Sequence, residues 1–271
     1  MDQRDTFAFQ QIPVPYHQGK PRQKGITMMI DWGLNLRTQI DCLEAGGIFI
    51  DEAKIAAGIS RLIPLDYLRK KINAYEKEDI LTFPGGLFAE LAIAQGNFEL
   101  FLEGAKEVGF SAVEISDNLL ELTSEKKKAA ISLAVKEFGF KVMGEVGKKE
   151  GSVSAKEMIA DIEGCLEAGA LKVLLEANEL FSGEIKKYVI EAIVKRVSID
   201  QIVFELPVII LPGSSRDLKH HVLAWLVKEF GTEVNIANVE WDEIFITELV
   251  RRGMAGDTSH PQGAYRLAGF R

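Results

Sequence analysis

Runs of apolar and β-branched residues recur along the chain. They begin near Ile26 (ITMMID), Ile48 (IFID), Ile80 (ILTFP), Ser111 (SAVEIS), Lys141 (KVMGEV), Lys172 (KVLLEA), Gln201 (QIVFEL) and Glu233 (EVNIAN). The starts lie 22 to 32 residues apart, and each gap carries apolar positions at helical spacing, as at Leu218, Val222, Trp225, Leu226 and Phe230. Strand and helix therefore alternate, and Gly46, Gly109, Gly139, Gly169 and Gly231 stand where left-handed helix terminators are expected. Eight such units predict an α/β fold, a single (β/α)8 TIM barrel over residues 26–253, close to the roughly 250 residues usual for that fold. A doubly wound open sheet is the alternative, but it needs a glycine-rich nucleotide loop after the first strand, and Ile30-Asp31-Trp32-Gly33-Leu34 is not one. Residues 1–25, with Pro13, Pro15, Gly19 and Pro21, predict an extended N-terminal arm, and residues 254–271 a short C-terminal tail.

At 271 residues, 47% hydrophobic and 27% charged, the composition suits one large core. A net charge of −8 without clustered Lys and Arg argues against a nucleic-acid surface and favours a small-molecule substrate. Cys42 and Cys165 have no Cys/His spacing around them, so neither a disulfide framework nor a zinc site is expected. With no apolar signal core and no apolar run near the roughly 20 residues of a membrane helix, a cytoplasmic protein is expected.

A barrel of this kind works at the carboxyl ends of its strands. The residues read there are Asp31; Asp51, Glu52 and Lys54; Gly85 and Gly86; Glu114, Ser116 and Asp117; Glu145, Lys148 and Lys149; Glu176, Asn178 and Glu179; Glu205; and Asn235 with Asn238. Carboxylates dominate. Gathered at one mouth they repel one another, so cations must lie close: Lys54, Lys149 and a divalent metal. Oxygen donors without His or Cys favour a hard ion, Mg²⁺ before Mn²⁺. Each carboxylate taken singly is as well explained as a helix cap or a lysine partner. Gly85-Gly86 reads as a tight turn or as backbone opened to an anion, and Gly213-Ser214-Ser215 as a phosphate-holding helix start or a simple N-cap.

Beyond single positions, motifs spread over nearly the whole chain resemble the phosphosulfolactate synthase family. They include Lys20-Pro21-Arg22, Ile50-Asp51 with Lys54, Pro84-Gly85-Gly86, Glu114-Ile115-Ser116-Asp117, Glu145-Val146-Gly147-Lys148-Lys149, Phe204-Glu205, Val234-Asn235 and Gly256-Asp257-Thr258. The resemblance implies a (β/α)8 barrel and, for the synthase branch, Mg²⁺-dependent addition of sulfite to phosphoenolpyruvate giving 2-phospho-3-sulfolactate, a step toward coenzyme M. It implies Lys149 as proton carrier. The resulting site has Lys149 and Glu145 as catalytic residues, Asp31, Glu114 and Glu176 at the metal, and Arg22, Lys54, Gly85, Gly86, Lys148, Ser214 and Asn235 at the substrate anions. The protein is expected to be a homo-oligomer acting on a small anion.

The chain departs from that branch at Trp32, at Ile59 within Lys54 to Ser60, at Leu87 after the glycine pair, and at Asn178, where an arginine is expected. A glutamine pair after the seventh strand is missing as well. Leu62-Ile63-Pro64 and Asn118-Leu119-Leu120-Glu121 look similar to the plant heat-stress-associated branch, for which no synthase chemistry is implied. The alternative reading is therefore a barrel of this family that serves as a binding or stress-associated protein, or that acts on a different phosphorylated or carboxylic acid.

Overall fold

A computed structural model describes residues 7–148, 152–181, 184–210, 212–255 and 260–269. The first half runs β1 (Thr27–Asp31), α1 (Leu36–Gly46), β2 (Glu52–Ile55), α2 (Leu65–Glu76), β3 (Leu81–Pro84), α3 (Gly86–Ala94), α4 (Phe98–Val108) and β4 (Ala112–Ile115). The second runs α5 (Ser124–Lys136), β5 (Lys141–Val146), α6 (Ala155–Glu167), β6 (Lys172–Leu175), α7 (Ala177–Phe181), α8 (Lys187–Arg196), β7 (Ile202–Glu205), α9 (Arg216–Phe230), β8 (Ile236–Val239), α10 (Ile244–Arg251) and α11 (Ala264–Leu267).

The eight strands are parallel, in the order β3-β2-β1-β8-β7-β6-β5-β4. The remaining seam, between β3 and β4, is stitched by a side chain: Thr82 N donates to Ser111 Oγ at 2.9 Å. The sheet is thus a nearly closed (β/α)8 TIM barrel, as the alternation of runs and helices predicts.

Side chains alternate in and out along each strand. Met28, Phe83, Ala112, Met143, Leu174, Val203 and Ala237 point inward and fill the middle of the barrel. The outward set, among them Met29, Ala53, Ile55, Val113, Ile115, Val142, Val173 and Phe204, packs beneath the helices. This apolar plug separates the two ends of the barrel, so charge at one end cannot neutralise charge at the other by contact.

Two strand boundaries differ from the sequence expectation. The second run begins at Ile48, but Gly47–Phe49 forms a 3-10 turn and β2 starts at Glu52. The eighth begins at Ile236 rather than Glu233. In both places a polar side chain closes the start of a neighbouring strand. Asp51 accepts from Thr27 N at 2.9 Å, and Asn235 Oδ1 accepts from Ile26 N at 3.0 Å while its Nδ2 donates to Ile202 O at 2.9 Å. These hydrogen bonds satisfy backbone groups that the staggered strand ends leave open.

A candidate active site at the carboxyl end of the barrel

One residue further along the inward rows, above the apolar plug, the side chains become charged. Lys54 of β2 reaches across the mouth, its Nζ 2.6 Å from Glu205 Oε1 and 3.1 Å from Glu114 Oε2. Glu114 Oε1 accepts the N–H of Gly86 at 2.8 Å. Glu145 accepts from Asn118 Nδ2 at 2.7 Å, and Glu176, the residue after β6, accepts from Asn178 N at 3.1 Å. All five charged groups are buried.

The glycines let these groups crowd together. A Cβ on Gly86 would lie 2.4 Å from Ser116 Oγ and 2.7 Å from Glu114 Oε1, so any side chain there would displace the carboxylate. Gly147 has φ +115°, and a Cβ would lie 2.8 Å from Glu176 Cβ. Only glycine adopts that backbone freely and leaves room for the glutamate.

Four carboxylates around one ammonium perturb each other. Burial pushes the Glu114 carboxyl well above its ordinary range; Lys54 pulls it back, and Glu145 and Glu205 push it up again. Burial alone would lower Lys54, yet Glu114, Glu205 and Glu145 together hold it well above an ordinary lysine. Lys54 is therefore a fixed cation at neutral pH.

Among the described residues, carboxylates outnumber cations along this cavity. Glu145, Glu176 and Glu205 each offer an oxygen within 4.8 Å of the others. Such a trio, buried and built only of oxygen donors, fits a hard divalent cation, which would remove the repulsion that burial otherwise magnifies. A cavity of about 430 Å³ opens above it, lined by Lys54, Gly85, Gly86, Glu114, Glu145, Glu176, Glu205, Ser214 and Asn238 among others. Asn238 holds a left-handed φ of 61°, unusual for a residue with a side chain, and its Oδ1 is buried without a hydrogen-bond partner among the described residues. Ser215, not Ser214, caps α9 by accepting from Leu218 N at 3.1 Å, which leaves Ser214 Oγ facing the cavity lining.

The expected site residues divide into four groups. Lys54, Gly85, Gly86, Glu114, Glu145, Glu176 and Ser214 come together at this cavity. Glu114 sits beside Lys54 and the Gly86 amide rather than in the three-carboxylate group, where Glu205 stands instead. Lys148 lies to one side, its Nζ 2.6 Å from Asp117 O and 2.9 Å from Asp117 Oδ2. Lys149 is outside the described residues. Asp31, Arg22 and Asn235 are elsewhere. Asp31 is not at the metal cluster because its oxygens are committed to Gly33 N, Leu34 N, the Tyr75 hydroxyl and Lys71 Nζ, the last at 2.7 Å. Arg22 and Asn235 occupy the amino end of the barrel, where Arg22 Nε donates to Asp51 Oδ1 at 2.8 Å and Nη2 to Ile48 O. The plug of apolar side chains stands between them and the cavity, so neither contacts a substrate held there.

Glu205 was readable in the sequence as a carboxylate at a strand end, since Glu114, Glu145 and Glu205 all close β-branched or apolar runs. The cavity walls were not: Trp32, Leu119, Phe181, Val208, Ile210 and Leu218 are apolar residues of loops and helix starts without a chemical signature.

Comparison with known proteins follows the same lines. Residues 15–257 match the family model described as (2R)-phospho-3-sulfolactate synthase (ComA). The phosphosulfolactate synthase of Methanocaldococcus jannaschii is 36% identical over 248 residues, covering 87% of this chain and 94% of that protein. Protein HEAT-STRESS-ASSOCIATED 32 of Arabidopsis thaliana is 25% identical over 262 residues, covering 86% of this chain and 87% of that protein. Among solved structures, the carboxyl transferase domain of Rhizobium etli pyruvate carboxylase with pyruvate superposes with a TM-score of 0.58 at 12% identity, covering 93% of this chain and 45% of that one, a likeness of fold alone. With the match running through every strand of the barrel and both of its ends, the chain belongs to the phosphosulfolactate synthase family of enzymes.

Proposed function

We propose that the protein is a carbon–sulfur lyase of the phosphosulfolactate synthase type, catalysing Mg²⁺-dependent addition of sulfite to phosphoenolpyruvate to give 2-phospho-3-sulfolactate. The observation that carries this reading is the buried trio Glu145, Glu176 and Glu205 beside Lys54, within a cavity at the catalytic end of a family barrel. Glu145, Glu176 and Glu205 would hold the ion, which when bound would stabilise negative charge developing on the substrate carboxylate.

In the addition, the sulfite sulfur forms a bond to C3 and the electron pair of the double bond moves toward C2 and its carboxylate. A proton must then be delivered to C2. We assign that delivery to Lys149, as the resemblance of the Glu145-Val146-Gly147-Lys148-Lys149 motif implies. Lys54, charged and held by Glu114 and Glu205, would fix the electrostatic frame without itself changing protonation, and the Gly85-Gly86 turn and Ser214 would meet substrate oxygens.

The relation to HEAT-STRESS-ASSOCIATED 32 and the apolar cavity walls favour one further reading, a family barrel that binds an acid without performing synthesis. We read the chain as cytoplasmic and homo-oligomeric, with free cysteines at Cys42 and Cys165 and no described helix long and apolar enough to cross a membrane. Sulfite-dependent loss of phosphoenolpyruvate that needs Mg²⁺ and vanishes in Lys149→Ala is the expected result. Absence of turnover in the metal-loaded wild-type protein would refute synthesis.

A further inference from the structure

The eighth strand loses its register beside the cavity. Thr27 pairs with Ile236 and Met29 with Val239, so three steps along β8 face two along β1 and one residue of β8 is extra. A bulge of this kind bends a strand and re-aims a side chain. Ala237 belongs to the inward plug, whereas Ile236 and Val239 both pack outward beneath the helices. Unbroken alternation would place 237 and 239 on the same face, so the break falls between them, at Asn238, whose φ of 61° is left-handed. Asn238 lines the cavity instead of following Ile236 to the helix side.

The re-aimed amide is only half satisfied. Asn238 is 3% exposed, and its Nδ2 donates to Leu206 O at 3.3 Å, beside Glu205, which pairs with Ala237 in the sheet. Its Oδ1 has no hydrogen-bond partner among the described residues. A left-handed backbone under a side chain and a buried acceptor left open both oppose folding, and their coincidence at one residue in a cavity points to a ligand. The choice of ligand is narrow. Oxygens of a phosphate, a carboxylate or a sulfite are acceptors like Oδ1 itself, so what completes the amide is a cation.

We propose that Asn238 Oδ1 is a fourth protein ligand of the divalent cation at the Glu145, Glu176 and Glu205 cluster. An amide oxygen is a hard donor that adds no charge, so the ion keeps more of its positive charge for an anionic substrate than a fourth carboxylate would leave. The inference rests on the reading that this cluster holds Mg²⁺. It goes beyond that reading by adding a neutral ligand and by giving the bulge in β8 a purpose.

Isothermal titration of the EDTA-stripped protein with MgCl₂ tests the assignment in wild type, Asn238→Gly, Asn238→Asp and Glu205→Gln. Glycine adopts a left-handed backbone freely, so Asn238→Gly removes the amide without opposing the bulge. That variant is expected to keep the wild-type unfolding temperature in EDTA and to bind Mg²⁺ about 10- to 100-fold more weakly. Asn238→Asp keeps an oxygen on a side chain of the same length and is expected to bind at least as tightly as wild type. If Asn238→Gly binds Mg²⁺ as wild type does while Glu205→Gln loses it, the inference is overturned and the cluster reading stands. A crystal structure of the wild-type protein with Mg²⁺, which no variant's folding can confound, is expected to place Oδ1 about 2.1 Å from the ion. An ion held by the glutamates with water in place of the amide would overturn the inference alone. A wild-type protein that binds no Mg²⁺ would refute both readings together.

Discussion

Glu52 offers a sharp test of how the barrel interior treats charge. Its side chain points inward from the start of β2, 4% exposed, with Oε2 lacking a hydrogen-bond partner among the described residues. Burial, and after it the neighbouring Asp51 carboxylate, raise its pKa from an ordinary 4.5 to about 7, despite the opposing pull of Lys172, Lys141 and Lys54. The gap between about 7 and 4.5, at about 1.4 kcal/mol per pH unit, amounts to about 3 kcal/mol. The sign follows from which state releases its proton first. Below pH 4.5 both folded and unfolded chains carry the proton and the group costs nothing; between 4.5 and 7 only the unfolded chain ionises, so stability falls as pH rises; above 7 the full cost is present. Glu52→Gln cannot ionise. Its amide leaves a different unpaired group, a cost of about 1–3 kcal/mol that is the same at every pH and so displaces the whole curve without tilting it. Urea unfolding at pH 4.5 and pH 8 separates the two effects: between those pH values the wild type is expected to lose about 3 kcal/mol more than the variant. Parallel stability curves across that interval would show that Glu52 is not held protonated by the barrel.

Lys54→Met leaves Glu114, Glu145 and Glu205 without the ammonium that separates them, and breaking such a buried pair costs about 3–5 kcal/mol. Thermal unfolding at pH 8 is expected to show a large loss that Mg²⁺ partly restores, and a variant as stable as wild type without Mg²⁺ would count against the charge excess. Asp31→Asn removes the partner of Lys71, buried with it at 2.7 Å, and is expected to destabilise by a similar amount while leaving Mg²⁺ affinity intact. A fall in Mg²⁺ affinity measured by titration, with the fold retained, would return Asp31 to the metal site.

Most of the fold is legible in the sequence because eight apolar runs at near-regular spacing leave few architectures that bury them all. Positions within a run are harder to read. In a parallel barrel both faces of a strand are buried, so no polar alternation marks where a strand starts. Asp51 and Asn235 show the consequence. Each is a polar residue beside an apolar run, indistinguishable by sequence from one at the catalytic end, yet each serves the backbone at the opposite end. Asp31 fails for another reason. It does stand at the carboxyl end of β1, but the lysine and tyrosine that claim it come from α2, a contact that only the packing of that helix creates. By contrast Glu114, Glu145, Glu176 and Lys54 lie together at one end, since strand-end carboxylates and an inward lysine leave a signature that the topology then brings together.

The two ends of the barrel show why the excess charge belongs to a ligand rather than to stability. At the amino end, buried cations meet neutral or single acceptors. Arg251 donates to the carbonyls of Thr232, Val234 and Ile26, Lys172 to those of Gln23 and Asp200, and Arg22 to Asp51 and the Ile48 carbonyl. A carbonyl oxygen satisfies an N–H without adding net charge, so that end is closed by the chain itself, with residues 20–25 lying across it. At the carboxyl end the balance is reversed: Glu114, Glu145, Glu176 and Glu205 share one described cation. Folding alone gives no reason to gather buried carboxylates in this way, because replacing such groups with apolar side chains of similar size is neutral or stabilising. Their presence in a cavity is accounted for if a cation and an acid complete them.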